Sequence, residues 1–160
     1  MRFLSVLFLF LFLPFQALSW PGVVLSVHDG DTLRVRNEQG RVINIRLWGV
    51  DAPELGQPYG KASRNFLRKL AQGKRVEVIK AQEENSHRRL VGLVSLASSG
   101  ASLQEELLKN GLAWVYDYHC RKAVCKTWRQ FQQEARRDRR GLWADPAPVN
   151  PYRWRKQQAG

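Results

Sequence analysis

The chain has 160 residues, of which 44% are hydrophobic and 25% are charged, and its formal net charge is +12 at pH 7. That length leaves room for one domain with a proper core, and no internal repeat or low-complexity stretch divides the chain further. So basic a protein is expected to attract polyanions such as nucleic acid, anionic lipid or acidic polysaccharide, although the charge alone does not exclude a role in solubility.

The N-terminus has the pattern of a secretory signal. Arg2 is followed by an apolar run over residues 3–13 and then by small residues at Ala17 and Ser19. This pattern predicts a signal peptide over residues 1–19 that is cleaved on export. The alternative is an uncleaved anchor, but the run is shorter than the roughly 20 residues that span a bilayer. We therefore expect a secreted or periplasmic protein.

Five later segments have the apolar and polar alternation that is typical of β-strands. They begin near residues 22, 33, 42, 76 and 90. In the third segment Ile43, Ile45 and Leu47 share one face. Because a strand has a period of two residues, Asn44 and Arg46 lie on the other face, with Arg46 near the end of the strand.

Helices are predicted over residues 59–71, 102–110 and 128–135. Five short strands with one helix inserted after the third are the organisation of an OB-fold, a partly open Greek-key barrel that often binds oligonucleotides. We therefore predict one α+β domain over residues 20–144, an OB-fold with about three helices. The basic, proline-containing tail over residues 145–160 is predicted to be poorly ordered.

Two cysteines, Cys120 and Cys125, lie close together in the exported part of the chain. Oxidising surroundings favour a disulfide that closes a short loop. The alternative is a zinc site, but these cysteines and the neighbouring His119 fall short of the four ligands that structural zinc normally takes.

Residues 46–54 combine one arginine with two carboxylates directly after the third strand. The carboxylates of Asp51 and Glu54 are suited to hold a divalent cation and position water, and the fork-shaped guanidinium of Arg46 is suited to grip phosphate oxygens. Asp29 and Asp31 lie in an earlier turn, where Asp and Gly are also common for conformational reasons. Together, the two groups indicate an active site for a reaction on an anion.

Several segments, in order, resemble the staphylococcal nuclease (thermonuclease) family. Residues 28–32 resemble its first acidic turn, and residues 46–54 resemble its central Arg and Val-Asp-x-Pro-Glu segment. Residues 89–91, 111–113 and 141–143 resemble three further landmarks. The resemblance covers most of the chain after the signal and implies a Ca²⁺-dependent phosphodiesterase that acts on DNA and RNA and leaves 3′-phosphate ends.

The resemblance also implies a metal site. Asp31 and Asp51 would be carboxylate ligands of Ca²⁺, which prefers oxygen donors. Ala52, where the family commonly has threonine, would offer its backbone carbonyl. Asp29 would hydrogen-bond water on the metal.

Three further residues would carry the reaction. Glu54 would act as the general base for the attacking water. Arg46 and Arg89 would hold the oxygens of the scissile phosphate and stabilise the charge of the transition state.

The departures from the family pattern lie just before the fifth strand. Family members often have an aspartate and a glycine where this chain has Asn85 and Arg88. The register of residues 90–94 points to Arg89 as the second catalytic arginine, and Arg88 is the alternative.

Substrate contacts are also predicted to differ from the family. A lysine and a tyrosine that touch the terminal phosphate of the nucleotide are replaced by Ser86 and His87, and His87 would make such a contact only when protonated. Tyr116 and Tyr118 are candidates to stack on a base or touch phosphate, and core packing explains either of them equally well.

The favoured function is a secreted, monomeric, Ca²⁺-dependent nuclease. One alternative is a catalytically weak or silent nucleic-acid-binding module on the same fold. Another is a basic envelope protein that binds anionic lipid or glycan, but no amphipathic helix with a clean basic face supports it.

Overall fold

The computed structural model describes residues 19–82 and 89–159. Within them lie seven β-strands, four α-helices and one short 3₁₀-helix at Gly141–Ala144. The strands are β1 (Ser19–Val27), β2 (Thr32–Asn37), β3 (Val42–Leu47), β4 (Val50–Asp51), β5 (Arg75–Gln82), β6 (Leu90–Leu96) and β7 (Trp114–Val115). The α-helices are α1 (Gly60–Ala71), α2 (Leu103–Lys109), α3 (Val124–Arg137) and α4 (Pro151–Gln158).

Five strands form a closed barrel in the order β1, β2, β3, β6, β5, and β5 pairs back with β1. The pairing is antiparallel except between β3 and β6, which run parallel. This architecture confirms the predicted α+β fold with an OB-type five-stranded barrel. The short strands β4 and β7 form a separate two-stranded sheet that the sequence pattern did not predict.

The barrel is filled by the apolar face of each strand. Leu33, Val35 and Ile45 are fully buried, and Leu47 is buried as well, as the alternation in β2 and β3 predicts. Burial of aliphatic side chains of this size contributes roughly 1.5–3 kcal/mol each to folding. The opposite face of β3 is thereby left to polar residues, including Arg46.

The helices pack on the barrel and on one another. Helix α2 contacts β6, α1 and α3. It begins at Ser102, whose hydroxyl accepts a hydrogen bond from the amide of Glu105 at 3.4 Å, as the predicted capping box requires. In α3, Trp128 is buried against Trp48, with 5.8 Å between the ring centroids. This contact joins α3 to the end of β3.

The tail differs from the sequence prediction, because residues 145–160 contain helix α4 where we expected poor order. Asn150 caps this helix by accepting a hydrogen bond from the amide of Tyr152 at 3.0 Å. Pro151 occupies the first turn, where its missing N–H costs nothing, and it is buried. The structure thus has four α-helices in its described part, one more than expected.

The predicted signal peptide lies outside the described residues except for Ser19, which begins β1. Among the helices that the structure describes, none combines the length and the hydropathy needed to cross a membrane. The predicted disulfide is confirmed: Cys120 and Cys125 are bonded, with 5.6 Å between their Cα atoms.

Candidate active site

One end of the barrel opens into a cleft of about 470 Å³. Its walls come from the turn before β2, the end of β3, the loop after β4, the entry to β6, the loop before α3, and α4. The titratable residues that line it are Asp29, Asp31, Arg46, Glu54, Arg89, Tyr116, His119 and Arg155. Most of the residues predicted to carry chemistry are therefore brought to one cavity.

Arg46 joins two carboxylates at the base of the cleft. Its Nη1 pairs with Asp31 Oδ1, and its Nη2 lies 2.8 Å from Asp51 Oδ1. The side chains of Asp31 and Asp51 are only 4% and 2% exposed, and that of Arg46 is 17% exposed. Burial of an unpaired carboxylate costs free energy of folding. The Arg46 guanidinium lowers that cost by pairing with both of these buried acids.

The backbone fixes these three groups. Arg46 stands opposite Thr32 in the pairing of β3 with β2, so it lies beside the turn that carries Asp31. The amide of Ala52 donates to Asp31 Oδ2 at 2.7 Å, which ties that turn to the segment after β4. Asp51 is held by the β4–β7 pairing. The positions of both acids are thus set by strand pairing and main-chain hydrogen bonds.

Glu54 is held by a tight loop between β4 and α1. Its amide donates to Gln57 Oε1 at 3.2 Å, and the amide of Gln57 donates back to the Glu54 carbonyl at 2.8 Å. Gly60 lets α1 begin directly against this loop, since a Cβ there would collide with the Glu54 carbonyl. The Glu54 carboxylate is 40% exposed, so it reaches the open part of the cleft.

Arg89 enters the cleft from the segment just before β6, and its Nη1 lies 3.4 Å from Thr32 Oγ1. Asp29 also lines the cleft, and its Oδ1 accepts from the amide of Asp31 at 3.0 Å, which shapes the acidic turn. The alternative arginine, Arg88, lies outside the described residues, as do residues 85–87 with His87.

Arg155 of α4 was not predicted, yet it contacts the centre of the site. Its Nη1 lies 3.1 Å from Asp51 Oδ1 and 2.7 Å from Glu54 Oε1, and its Nη2 lies 3.0 Å from Asp51 Oδ2. Partial burial acts to lower the pKa of Arg155, but the hydrogen bonds to Asp51 and Glu54 outweigh it and raise the pKa above its ordinary value. The guanidinium therefore stays charged and paired with both acids.

The rim of the cleft includes two aromatic residues from the loop before α3. Tyr116 and His119 line the cleft, and their ring centroids are 5.0 Å apart. Tyr118 packs on the outer side of His119 at 4.9 Å, is 71% exposed and does not line the cleft. Of the two candidate tyrosines, the geometry therefore favours Tyr116 for contact with a bound molecule.

The donor set at the base fits a hard divalent cation. Carboxylate oxygens of Asp31 and Asp51 converge on the guanidinium of Arg46. The guanidinium of Arg155 also contacts Asp51. Carboxylate, carbonyl and water oxygens are what Ca²⁺ prefers. Across residues 19–82 and 89–159, no group of three or more His, Cys, Asp or Glu side chains could hold a metal ion by itself. A divalent metal ion at this position would be coordinated by the two carboxylates and by additional carbonyl and water oxygens.

Three residues, Gln57, His119 and Arg155, were not predicted as site residues at the level of sequence. Besides Glu54, Gln57 contacts the tail, because its Nε2 donates to the Val149 carbonyl at 2.6 Å. The signal for the tail helix was present in Asn150-Pro151, a capping residue followed by proline at the first helical position. No local pattern indicated which acids Arg155 would reach.

The chain is similar to a known family of proteins. A family described as staphylococcal nuclease homologue matches residues 44–145. That range contains Arg46, Asp51, Glu54 and Arg89, and it ends before α4.

Curated relatives extend the match. An Escherichia coli protein named uncharacterized endonuclease is 36% identical over 147 residues, which cover 88% of this chain and 92% of the relative. A Shigella flexneri protein named micrococcal nuclease is 32% identical over 142 residues, covering 84% and 80% respectively. A staphylococcal-like nuclease of Arabidopsis thaliana is 38% identical over 127 residues, but these make up only 38% of that longer protein.

Proposed function

Because the chain belongs to the staphylococcal nuclease family, we propose that it is a secreted, Ca²⁺-dependent phosphodiesterase that hydrolyses both DNA and RNA. Nuclease activity on nucleic acid follows from the family and from relatives named endonuclease and micrococcal nuclease. The metal, the catalytic roles and the export are the proposal. The observation that carries it is the convergence of Asp31 and Asp51 on Arg46, with Glu54 in the same cleft.

Asp31 and Asp51 would hold the calcium ion, with the backbone carbonyl of Ala52 as a third donor and Asp29 beside the metal-bound water. The convergence of two nearly buried carboxylates on one point supports this assignment, since Ca²⁺ prefers carboxylate oxygens. When bound, Ca²⁺ would supply neutralisation of the phosphate charge.

Arg46 and Arg89 would bind the non-bridging oxygens of the scissile phosphate. Both line the cleft, Arg46 from β3 and Arg89 from the segment just before the adjacent strand β6. A phosphate between them would be held from two directions by charged, multiply donating groups. As the water oxygen adds to phosphorus, the extra negative charge would be stabilised by the same donors.

Glu54 would accept a proton from the attacking water. Its carboxylate reaches the open cleft, while its main chain is held on both sides by Gln57, so the base is positioned without being enclosed. Attack would break the P–O bond on the 5′ side and leave a 3′-phosphate and a 5′-hydroxyl.

Export is proposed from the apolar N-terminal run and the small residues that follow it. The disulfide between Cys120 and Cys125 supports this proposal, because such bonds persist in oxidising compartments. We expect the exported protein to act as a monomer in the periplasm or outside the cell.

The proposal is tested by digestion of single-stranded DNA and RNA with Ca²⁺, with EGTA, and with Asp51→Asn. We expect cleavage of both polymers only with Ca²⁺ and a loss of at least about 10² with Asp51→Asn, since a ligand that holds the metal is removed. Asp117→Asn is the matched control, because Asp117 is exposed outside the cleft. Full cleavage in EGTA would exclude Ca²⁺ dependence, whereas binding without cleavage would favour a silent binding module.

A further inference from the structure

Helix α4 places a positive charge where the proposed mechanism needs a metal. The Arg155 guanidinium contacts both oxygens of Asp51, at 3.1 and 3.0 Å, and also Glu54 Oε1 at 2.7 Å. One side chain therefore engages the proposed metal ligand and the proposed general base together. The family match ends at residue 145, before this helix.

The contacts of Arg155 are incompatible with a site in which Asp51 binds Ca²⁺ and Glu54 accepts a proton from water. An oxygen of Asp51 that binds a divalent cation cannot keep its full hydrogen bond to Arg155, and a cation beside Asp51 would repel the guanidinium. Glu54 is likewise a weaker acceptor for a water proton while its Oε1 accepts from Arg155. In this geometry the Arg155 side chain therefore occupies the carboxylate oxygens that the metal ion and the attacking water would use.

The fold holds Arg155 in this position. The N-terminus of α4 is capped by Asn150, and Pro151 is buried. The Gln57 side chain donates to the Val149 carbonyl at 2.6 Å and binds the Glu54 amide at its other end, so the tail is anchored to the loop of the general base. The side chain of Arg155 itself is 40% exposed, which leaves it room to swing out while α4 stays anchored.

We propose that Arg155 is a built-in competitor of the divalent cation, which occupies Asp51 and Glu54 until the metal displaces it. This inference rests on the proposed calcium site. Because only the fraction of molecules with Arg155 displaced can bind, the apparent Kd for Ca²⁺ equals the intrinsic Kd divided by that fraction, and is therefore higher. The enzyme is thereby kept inactive at low Ca²⁺ and becomes active where Ca²⁺ is abundant.

The test is calorimetric titration of the full exported chain with Ca²⁺, in the absence of nucleic acid. Arg155→Met removes the charge, keeps the length of the side chain and adds no oxygen ligand. It should bind Ca²⁺ about tenfold more tightly than the unaltered protein, equivalent to about 1.4 kcal/mol. Arg153→Met is the matched control on the same helix, because Arg153 is exposed and does not line the cleft, and its Kd should not change.

A second readout is thermal unfolding. In EGTA, Arg155→Met should lower Tm, because three charge-assisted hydrogen bonds are lost, and its gain in Tm on adding Ca²⁺ should exceed that of the unaltered protein. Equal or weaker Ca²⁺ binding by Arg155→Met would overturn the competitor role alone, as would equal tightening by Arg153→Met. If neither the unaltered protein nor Arg155→Met binds Ca²⁺, both the calcium site and the competitor role are wrong.

Discussion

Two arginines contact the Asp51 carboxylate, one from a barrel strand and the other from the C-terminal helix. Arg46 projects from strand β3 of the barrel, is 17% exposed and is opposed by paired strands on both sides. Arg155 projects from the terminal helix α4, is 40% exposed and depends on the Gln57 contact for its anchorage. Both lie within 3.1 Å of Asp51.

The two arginines therefore differ in how firmly they are held: Arg46 is fixed in the site, whereas the Arg155 side chain is able to leave it. Arg46 is anchored on a barrel strand that is paired on both sides, so its guanidinium remains at the base of the cleft. The position of Arg155 depends on a short helix and on a long side chain that is partly in water. This difference supports the two proposed roles, Arg46 in catalysis and Arg155 in control of metal access.

The largest effect is expected from Arg46→Met. It removes a donor to the phosphate and leaves Asp31 without its charged partner, so single-turnover cleavage in saturating Ca²⁺ should fall by about 10²–10³. Arg155→Met under the same conditions should retain the rate of the unaltered protein. An equal loss in both variants would abolish the distinction between a catalytic arginine and a competing one.

The next effect concerns the proposed second catalytic arginine. Arg89 lines the cleft, so Arg89→Met should lower the single-turnover rate by about 10² through loss of a charged donor to the phosphate. Arg88→Met is the matched control and should leave the rate within a few fold. The reverse pattern would transfer the role to Arg88.

The smallest effect is expected at Gln57, which connects the loop of Glu54 to the segment before α4. Gln57 is buried and binds both the Glu54 amide and the Val149 carbonyl, so Gln57→Ala should lower the free energy of unfolding by about 1–2 kcal/mol. Denaturant unfolding measures this change, with Gln39→Ala in an exposed turn as the control. Hydrogen exchange should also become faster in residues 151–158, and unaltered exchange there would show that α4 is anchored by other contacts.

The barrel could be predicted because its strands carry local information. The alternation of Ile43, Ile45 and Leu47 with Asn44 and Arg46 reports which face is buried, and the structure confirms five barrel strands. The placement of Asp31 beside Arg46 follows from the pairing of neighbouring strands, which short turns impose.

The tail could not be predicted in the same way. Arg155 meets Asp51 across a sequence separation of 104 residues, and that contact depends on how the whole domain packs. Prolines and basic residues in the tail indicated poor order, whereas Pro151 in fact stabilises the first turn of α4. The two-stranded β4–β7 sheet is similarly a product of packing, because strands of two residues carry no periodicity.

Glu54 is proposed to assist attack by water at the end of the barrel. The most direct measurement is the single-turnover rate of Glu54→Gln on single-stranded DNA in saturating Ca²⁺, beside Glu38→Gln, whose carboxylate is 60% exposed and outside the cleft. We predict a fall of at least about 10² for Glu54→Gln, the scale of lost general-base assistance, and no change for Glu38→Gln. A Glu54→Gln rate equal to that of the unaltered protein would contradict the mechanism.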